Sequence, residues 1–231
     1  MQTQSIKRDK RFGFRLILNA LTLLLLLNPA FVALYQDAEK DSVTGQTLYK
    51  DLPLKADRTL KFNTKEGTWV SVDISPDGST IIFDMLGDLY TMPAAGGKAT
   101  RLTDGMAYDT HPRYSPDGKH IVFTSDRSGS ENAWLMELES KEFTQITKGS
   151  NEWVQSAEWS PDGDYVVVSK GRRSFKLFMY HKDGGGGFQL IKSPSGLKTV
   201  EPAFSADGRF IYYAQRNGAW NYNAQLPQYQ I

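Results

Sequence analysis

The tetrapeptide Ser75-Pro76-Asp77-Gly78 returns as Ser115-Pro116-Asp117-Gly118, as Ser160-Pro161-Asp162-Gly163 and, with one change, as Ser205-Ala206-Asp207-Gly208, at spacings of 40, 45 and 45 residues. No other feature restricts the fold so tightly, because a fixed period of this length is the mark of a repeat architecture. The context repeats with the motif. Before each turn lie Val70 to Ile74, Pro112 to Tyr114, Ala157 to Trp159 and Pro202 to Phe204. After it come Ile81 to Phe83, Ile121 to Phe123, Val166 to Val168 and Ile211 to Tyr213.

Each of the first three units continues into a third strand: Asp88 to Met92, Ala133 to Glu137 and Lys176 to Tyr180. A short fourth follows at Thr100 to Thr103, Thr144 to Thr147 and Gln189 to Lys192. Four short strands in roughly 43 residues, separated by turn signals, describe one blade of a β-propeller. The predicted fold is therefore all-β, a β-propeller of four-stranded antiparallel blades.

The turn residues need no ligand. Proline presets φ for the first central position of a type I turn, aspartate tolerates the second, and glycine takes the left-handed position leading into the next strand. The serine hydroxyl bonds back to the turn. Four aspartates on four blades stand too far apart to share a cation. Ala206 gives up some preorganisation in the last copy, and the turn tolerates it.

Counted from Gly67, three blades are complete by Lys192, and a fourth stops in its third strand near Tyr229-Gln230-Ile231. Thr59 to Asn63 alternates like a strand and suits the outer strand that latches a final blade. Closed propellers use four to eight blades. About three and a half leave two sheet edges unpaired. The expectation is an incomplete propeller over 58–231, the N-terminal part of a longer protein. Expressed alone, such a piece should aggregate or melt without cooperativity.

Ahead of the repeats, Lys7, Arg8, Lys10, Arg11 and Arg15 precede an apolar stretch from Phe12 to Leu27, which Asn28-Pro29 ends. A basic segment followed by an apolar run reads as a signal peptide or an N-terminal membrane anchor over 1–35. None of the stretches after it has a small-x-small cleavage pattern. A polar linker spans 36–57. The chain has no cysteine, which removes a lipobox, disulfides and thiolate ligands. Beyond residue 15 it carries 22 positive and 25 negative side chains, so it has no basic face for nucleic acid.

The units, including Phe123-Thr124-Ser125-Asp126-Arg127-Ser128-Gly129, resemble the TolB-like (WD40-like) propeller repeat of exported bacterial proteins. Glu66 to Gly78, Gly87 to Tyr90, Gly96 to Thr103 and Trp220-Asn221-Tyr222-Asn223 resemble more narrowly the propeller that precedes a metal-dependent amidohydrolase domain in large secreted enzymes. The resemblance implies a non-catalytic scaffold or gate, in the periplasm or secreted, with the catalytic domain and its divalent metal beyond the C-terminus. Its partners are that missing domain or a periplasmic protein, and the membrane is touched only through an uncleaved leader. Two alternatives stand beside it: an interaction protein of TolB type, and the propeller of a serine peptidase of the prolyl oligopeptidase type. TolB itself places an α/β domain of over a hundred residues before its propeller, where this chain has a short linker.

No catalytic, cofactor-binding or metal-ligating residue is assigned in this chain. His111, His120 and His181 form no His-x-His pair and read as structural or solvated. There is no Gly-x-Ser-x-Gly elbow. Gly184 to Gly187 lacks the Lys-Ser/Thr of a phosphate loop and reads as a hairpin loop. Lys170, Arg172 and Arg173 make a small basic loop open to solvent. Trp69, Trp134, Trp153, Trp159 and Trp220 read as packing within and between blades.

Overall fold

Alternation of apolar side chains decides how the sheets stack. In the computed structural model, which describes residues 54, 57–68, 70–194 and 196–217, every assigned element is a strand. The first blade comprises β1 (Val72–Ile74), β2 (Thr80–Met85), β3 (Asp88–Pro93) and β4 (Thr100–Arg101). The second comprises β5 (Asp109–Tyr114), β6 (His120–Ser125), β7 (Asn132–Glu137) and β8 (Phe143–Gln145). The third comprises β9 (Trp153–Trp159), β10 (Tyr165–Gly171), β11 (Lys176–His181) and β12 (Gly184–Gln189). A fourth sheet pairs β13 (Leu197–Phe204) with β14 (Ile211–Asn217). Each sheet is an antiparallel meander in chain order, as expected of propeller blades.

The middle blade shows why its strands are apolar throughout. Successive side chains of a strand point to opposite faces. Ile121 and Phe123 of β6, with Trp134 and Met136 of β7, meet Ile82 and Leu89 of the first blade. Val122, Ala133 and Leu135 point the other way, onto Val154, Ala157, Trp159, Val166 and Val168 of the third. A sheet covered on both faces has no polar side to alternate with. Each side chain so buried contributes about 1.5–3 kcal/mol.

Three expectations change. Thr59 to Asn63 is assigned to no strand; alternation alone does not make a strand without a partner to pair with, and none pairs with it among the described residues. Gly184 to Gly187 is not a hairpin loop but most of the outer strand β12, displaced toward the N-terminus from the Gln189 to Lys192 expected. Trp153 is half exposed at the start of β9, whereas Trp134 and Trp159 are buried as packing residues. The leader, nearly all of the linker, Trp69, the Trp220 to Asn223 stretch and the third strand of the fourth blade lie outside the described residues.

Candidate functional site

The two ends of the blades are built differently. At one end lie the four Ser-x-Asp-Gly turns, joining the first strand of each blade to the second. The glycines sit at φ of +69° to +75°, the left-handed region that disfavours a side chain. In each turn the serine hydroxyl donates to the aspartate, 2.5 Å at Ser75 and 2.6 Å at Ser205, and accepts from the N–H five residues on. The aspartate also accepts the N–H two residues on, at 3.0 Å from Ser79 and 3.1 Å from Arg209. Ser75 and Ser79 together hold the Asp77 carboxyl down at about 2. Asp207 is lowered in the same way by Ser205 and Arg209. These carboxylates are occupied by their own turns, and Ala206 leaves the geometry intact.

The turns also touch one another. A β-carbon added at Gly118 would lie 3.5 Å from the Pro76 ring, and one at Gly163 or Gly208 would lie 3.6 Å from Pro116 or Pro161. Asp73 of β1 accepts the Tyr114 N–H of the next blade at 2.8 Å, and the Trp159 indole donates to the Arg113 carbonyl at 3.2 Å. This end is a closed seam of satisfied polar groups.

The opposite end carries the turns between second and third strands and the links between blades. Here a groove of about 970 Å³ crosses from the first blade to the third. Its floor is polar. Buried Asp84 accepts the Ser71 N–H on one oxygen and the His111 N–H on the other, both at 2.8 Å. Thr110 and Thr124 hydroxyls meet at 2.8 Å, and the His111 ring approaches Thr110 Oγ1 at 3.1 Å. Its rim is apolar: Leu86, Tyr108 and Trp153 line it and are exposed.

His111 and Glu201 occupy matching places on β5 and β13, each just before a proline. Both have positive φ, +55° and +54°, and both strands shift register there. Such backbone strain in non-glycine residues persists only where the surroundings impose it. Burial in the concave wall lowers the His111 imidazole below its ordinary value; Asp84 and Glu201 oppose that shift, and Arg113 adds to it.

The remaining sequence candidates are scattered. His120 opens β6 near Trp159, and His181 packs edge-on to Tyr165. No three His, Asp or Glu side chains converge as metal ligands among the described residues. Lys170 pairs with Glu152 at 3.1 Å and lies over the Phe178 ring, while Arg172 and Arg173 stay exposed. Sequence reasoning missed the groove. Its one legible signal was the Leu86-Gly87 pair, where a tight two-residue turn ordinarily carries Asn-Gly.

Comparison with known proteins agrees with this architecture. The family described as PD40, TolB beta propeller domain, matches residues 49–225. An uncharacterized protein of Agrobacterium fabrum is 36% identical over 61% of this chain and 53% of its own length. The Tol-Pal system protein TolB of Helicobacter hepaticus is 27% identical over 77% of this chain and 45% of that protein. A Sulfurisphaera tokodaii protein named as a Tricorn-like protease C-terminal subunit is 25% identical over 67% of this chain and 18% of that protein. The chain thus spans about half or less of the length of these relatives. Among solved structures, TolB from Acinetobacter baumannii superposes with a TM-score of 0.55 at 27% identity, covering 66% of this chain and 39% of that one. A structure described as TolB from Agrobacterium tumefaciens gives 0.55 at 28% identity, covering 65% and 60%. With its four repeats, its meander sheets and a family match over most of its length, the chain belongs to the TolB β-propeller family.

Proposed function

We propose that this chain is the non-catalytic propeller portion of an exported bacterial protein, holding a protein or substrate at the grooved end of its blades. The observation that carries the reading is the difference between the two ends. The Ser-x-Asp-Gly rim spends its polar groups on itself, whereas the other end keeps an open groove with exposed aromatic and apolar side chains. Exposed apolar surface of this kind marks interaction sites. Export is supported by the basic-apolar leader over 1–35 and by the relative named as a Tol-Pal system protein.

A photo-crosslinking residue at Leu86, at the grooved end, and another at Ser79, on the opposite rim, test this in bacterial cells. Protein adducts at 86 and not at 79 are the expected result. Adducts only at 79 overturn the choice of end, and none at either position overturns the reading. Export itself is checked by fusing β-lactamase after residue 57, where ampicillin resistance is expected.

For the parent protein, the first blade's resemblance to amidohydrolase-linked propellers supports a hydrolase domain beyond Ile231. Among the described residues no cluster of His, Asp or Glu is placed to hold its divalent metal. The relative named as a Tricorn-like protease subunit favours a peptidase as the second reading, and the match to TolB favours a propeller without any enzyme domain. Reading the source DNA past the Ile231 codon separates them: a His-x-His strand, a Gly-x-Ser-x-Gly elbow, or neither.

A further inference from the structure

The turn joining β2 to β3 places Leu86 at φ +55° and Gly87 at φ +87°. A two-residue turn with both φ positive is the type that favours Asn-Gly, because most side chains clash in the left-handed region. Leucine is a poor choice for the turn, and it gains nothing by burial, since it is 75% exposed. Tyr108 lies against the turn, its ring 2.9 Å from where a Gly87 β-carbon would be, and is itself 58% exposed. Trp153, at the start of the third blade, is 50% exposed on the same groove. Three blades therefore each bring one large apolar side chain, at least half exposed, to one opening.

The charge of the groove is negative. Asp84 is consumed by backbone N–H groups, but Glu131 lines the groove and makes no ion pair among the described residues. Burial raises the pKa of its carboxyl, and the neighbouring Asp126 raises it further; a cation arriving beside Glu131 would oppose both shifts. Asp126 is itself held by the Tyr108 N–H at 2.7 Å. The exposed Arg172-Arg173 loop does not line the groove.

We propose that this groove docks an extended peptide segment of a partner protein in which a Lys or Arg is flanked by aliphatic side chains. The cation faces Glu131, and the aliphatic groups lie on Leu86, Tyr108 and Trp153. The inference rests on the reading above that the grooved end holds a protein, and it adds the chemistry of what is held.

Calorimetric titration of the full chain with a capped decapeptide of Leu and Ser around a central Arg tests it. Two counterparts serve as controls, one with Glu for Arg and one with Ser for every Leu. The Arg peptide is expected to bind at least about tenfold more tightly than either, a difference of about 1.4 kcal/mol, and added salt should weaken it. Leu86→Asn and Glu131→Gln should each weaken binding about fivefold or more. Leu86→Asn should leave Tm unchanged or higher, because asparagine suits the turn. Equal or tighter binding of the Glu peptide, no binding of the Arg peptide, or unchanged affinity in both variants overturns the proposal. So does self-association that Leu86→Asn abolishes, which would put a second copy in the groove. Crosslinking at position 86 together with any of these results leaves the interaction role standing and removes only the chemistry proposed here.

Discussion

Arg127 donates from one guanidinium nitrogen, Nη2, to both carboxylate oxygens of Asp109 at 2.7 Å, and each side chain is 1% exposed. The guanidinium also lies 3.9 Å from the Phe143 ring centroid and 5.2 Å from that of Phe123. A pair this deep is dangerous to break, because the surviving charge stays buried without compensation. Asp109→Ala is therefore expected to destabilise by about 3–5 kcal/mol, whereas Lys182→Ala, which breaks the exposed pair with Asp164, should leave stability nearly unchanged. Chemical denaturation of both variants measures the contrast. At this scale the sequence was legible where the chemistry is local. Ser75, Asp77 and Gly78 lie within four residues and define their own turn. Asp109 and Arg127 lie 18 apart on opposite sides of a hairpin, and only the register of β5 on β6 brings them together. Leu86 was visible all along, but nothing local shows that its side chain has nowhere to pack.

Strands were legible where two faces are buried, because Ile121-Val122-Phe123 and Val166-Val167-Val168 admit no other role in so short a repeat. The failures have the opposite cause. Thr59 to Asn63 has the alternation but no partner strand among the described residues. Gly184 to Gly187 has neither alternation nor β propensity, yet lies in β12, whose pairing with β11 shifts register there and takes positive φ values of +93°, +112° and +61° at Gly184, Gly185 and Gly187, a backbone that favours glycine. Gly187 is the critical one. A β-carbon there would run into the Tyr180 ring, while one at Gly186 would meet nothing within 4 Å. Gly187→Ala should lower Tm by several degrees, the shift that about 1–2 kcal/mol of left-handed strain produces in a domain of this size. Gly186→Ala, free of both clash and strain, should leave Tm unchanged or raise it slightly. Thermal melts of the two variants side by side decide it.

Among the described residues, the second blade is covered on both faces and the first on one. Val72 and Ile74 of β1 are 57% and 51% exposed, since Asp73 between them turns inward to the second blade. Leu60 and Phe62, also exposed, line an open hollow beside that face. Uncovered apolar strand surface invites association. The chain is expected to self-associate with rising concentration, and Val72→Lys should shift that onset upward without lowering Tm, as read by light scattering and melting. The sequence conveyed the order of the blades, because each of the first three units is written out in full. It could not convey where the open groove lies, because the groove is assembled from residues of three units that share no motif.

The row of prolines against glycines along the turn rim has a consequence for lineage. Pro76 meets Gly118, Pro116 meets Gly163 and Pro161 meets Gly208, so every joint is made by the same two residue types in the same two places. A blade copied in tandem would arrive with both halves of the joint already fitted, ready for whichever neighbour it found. Families built this way can gain or lose blades by duplication without redesigning a boundary, while the opposite end, where Leu86, Tyr108 and Trp153 follow no shared motif, remains free to diverge.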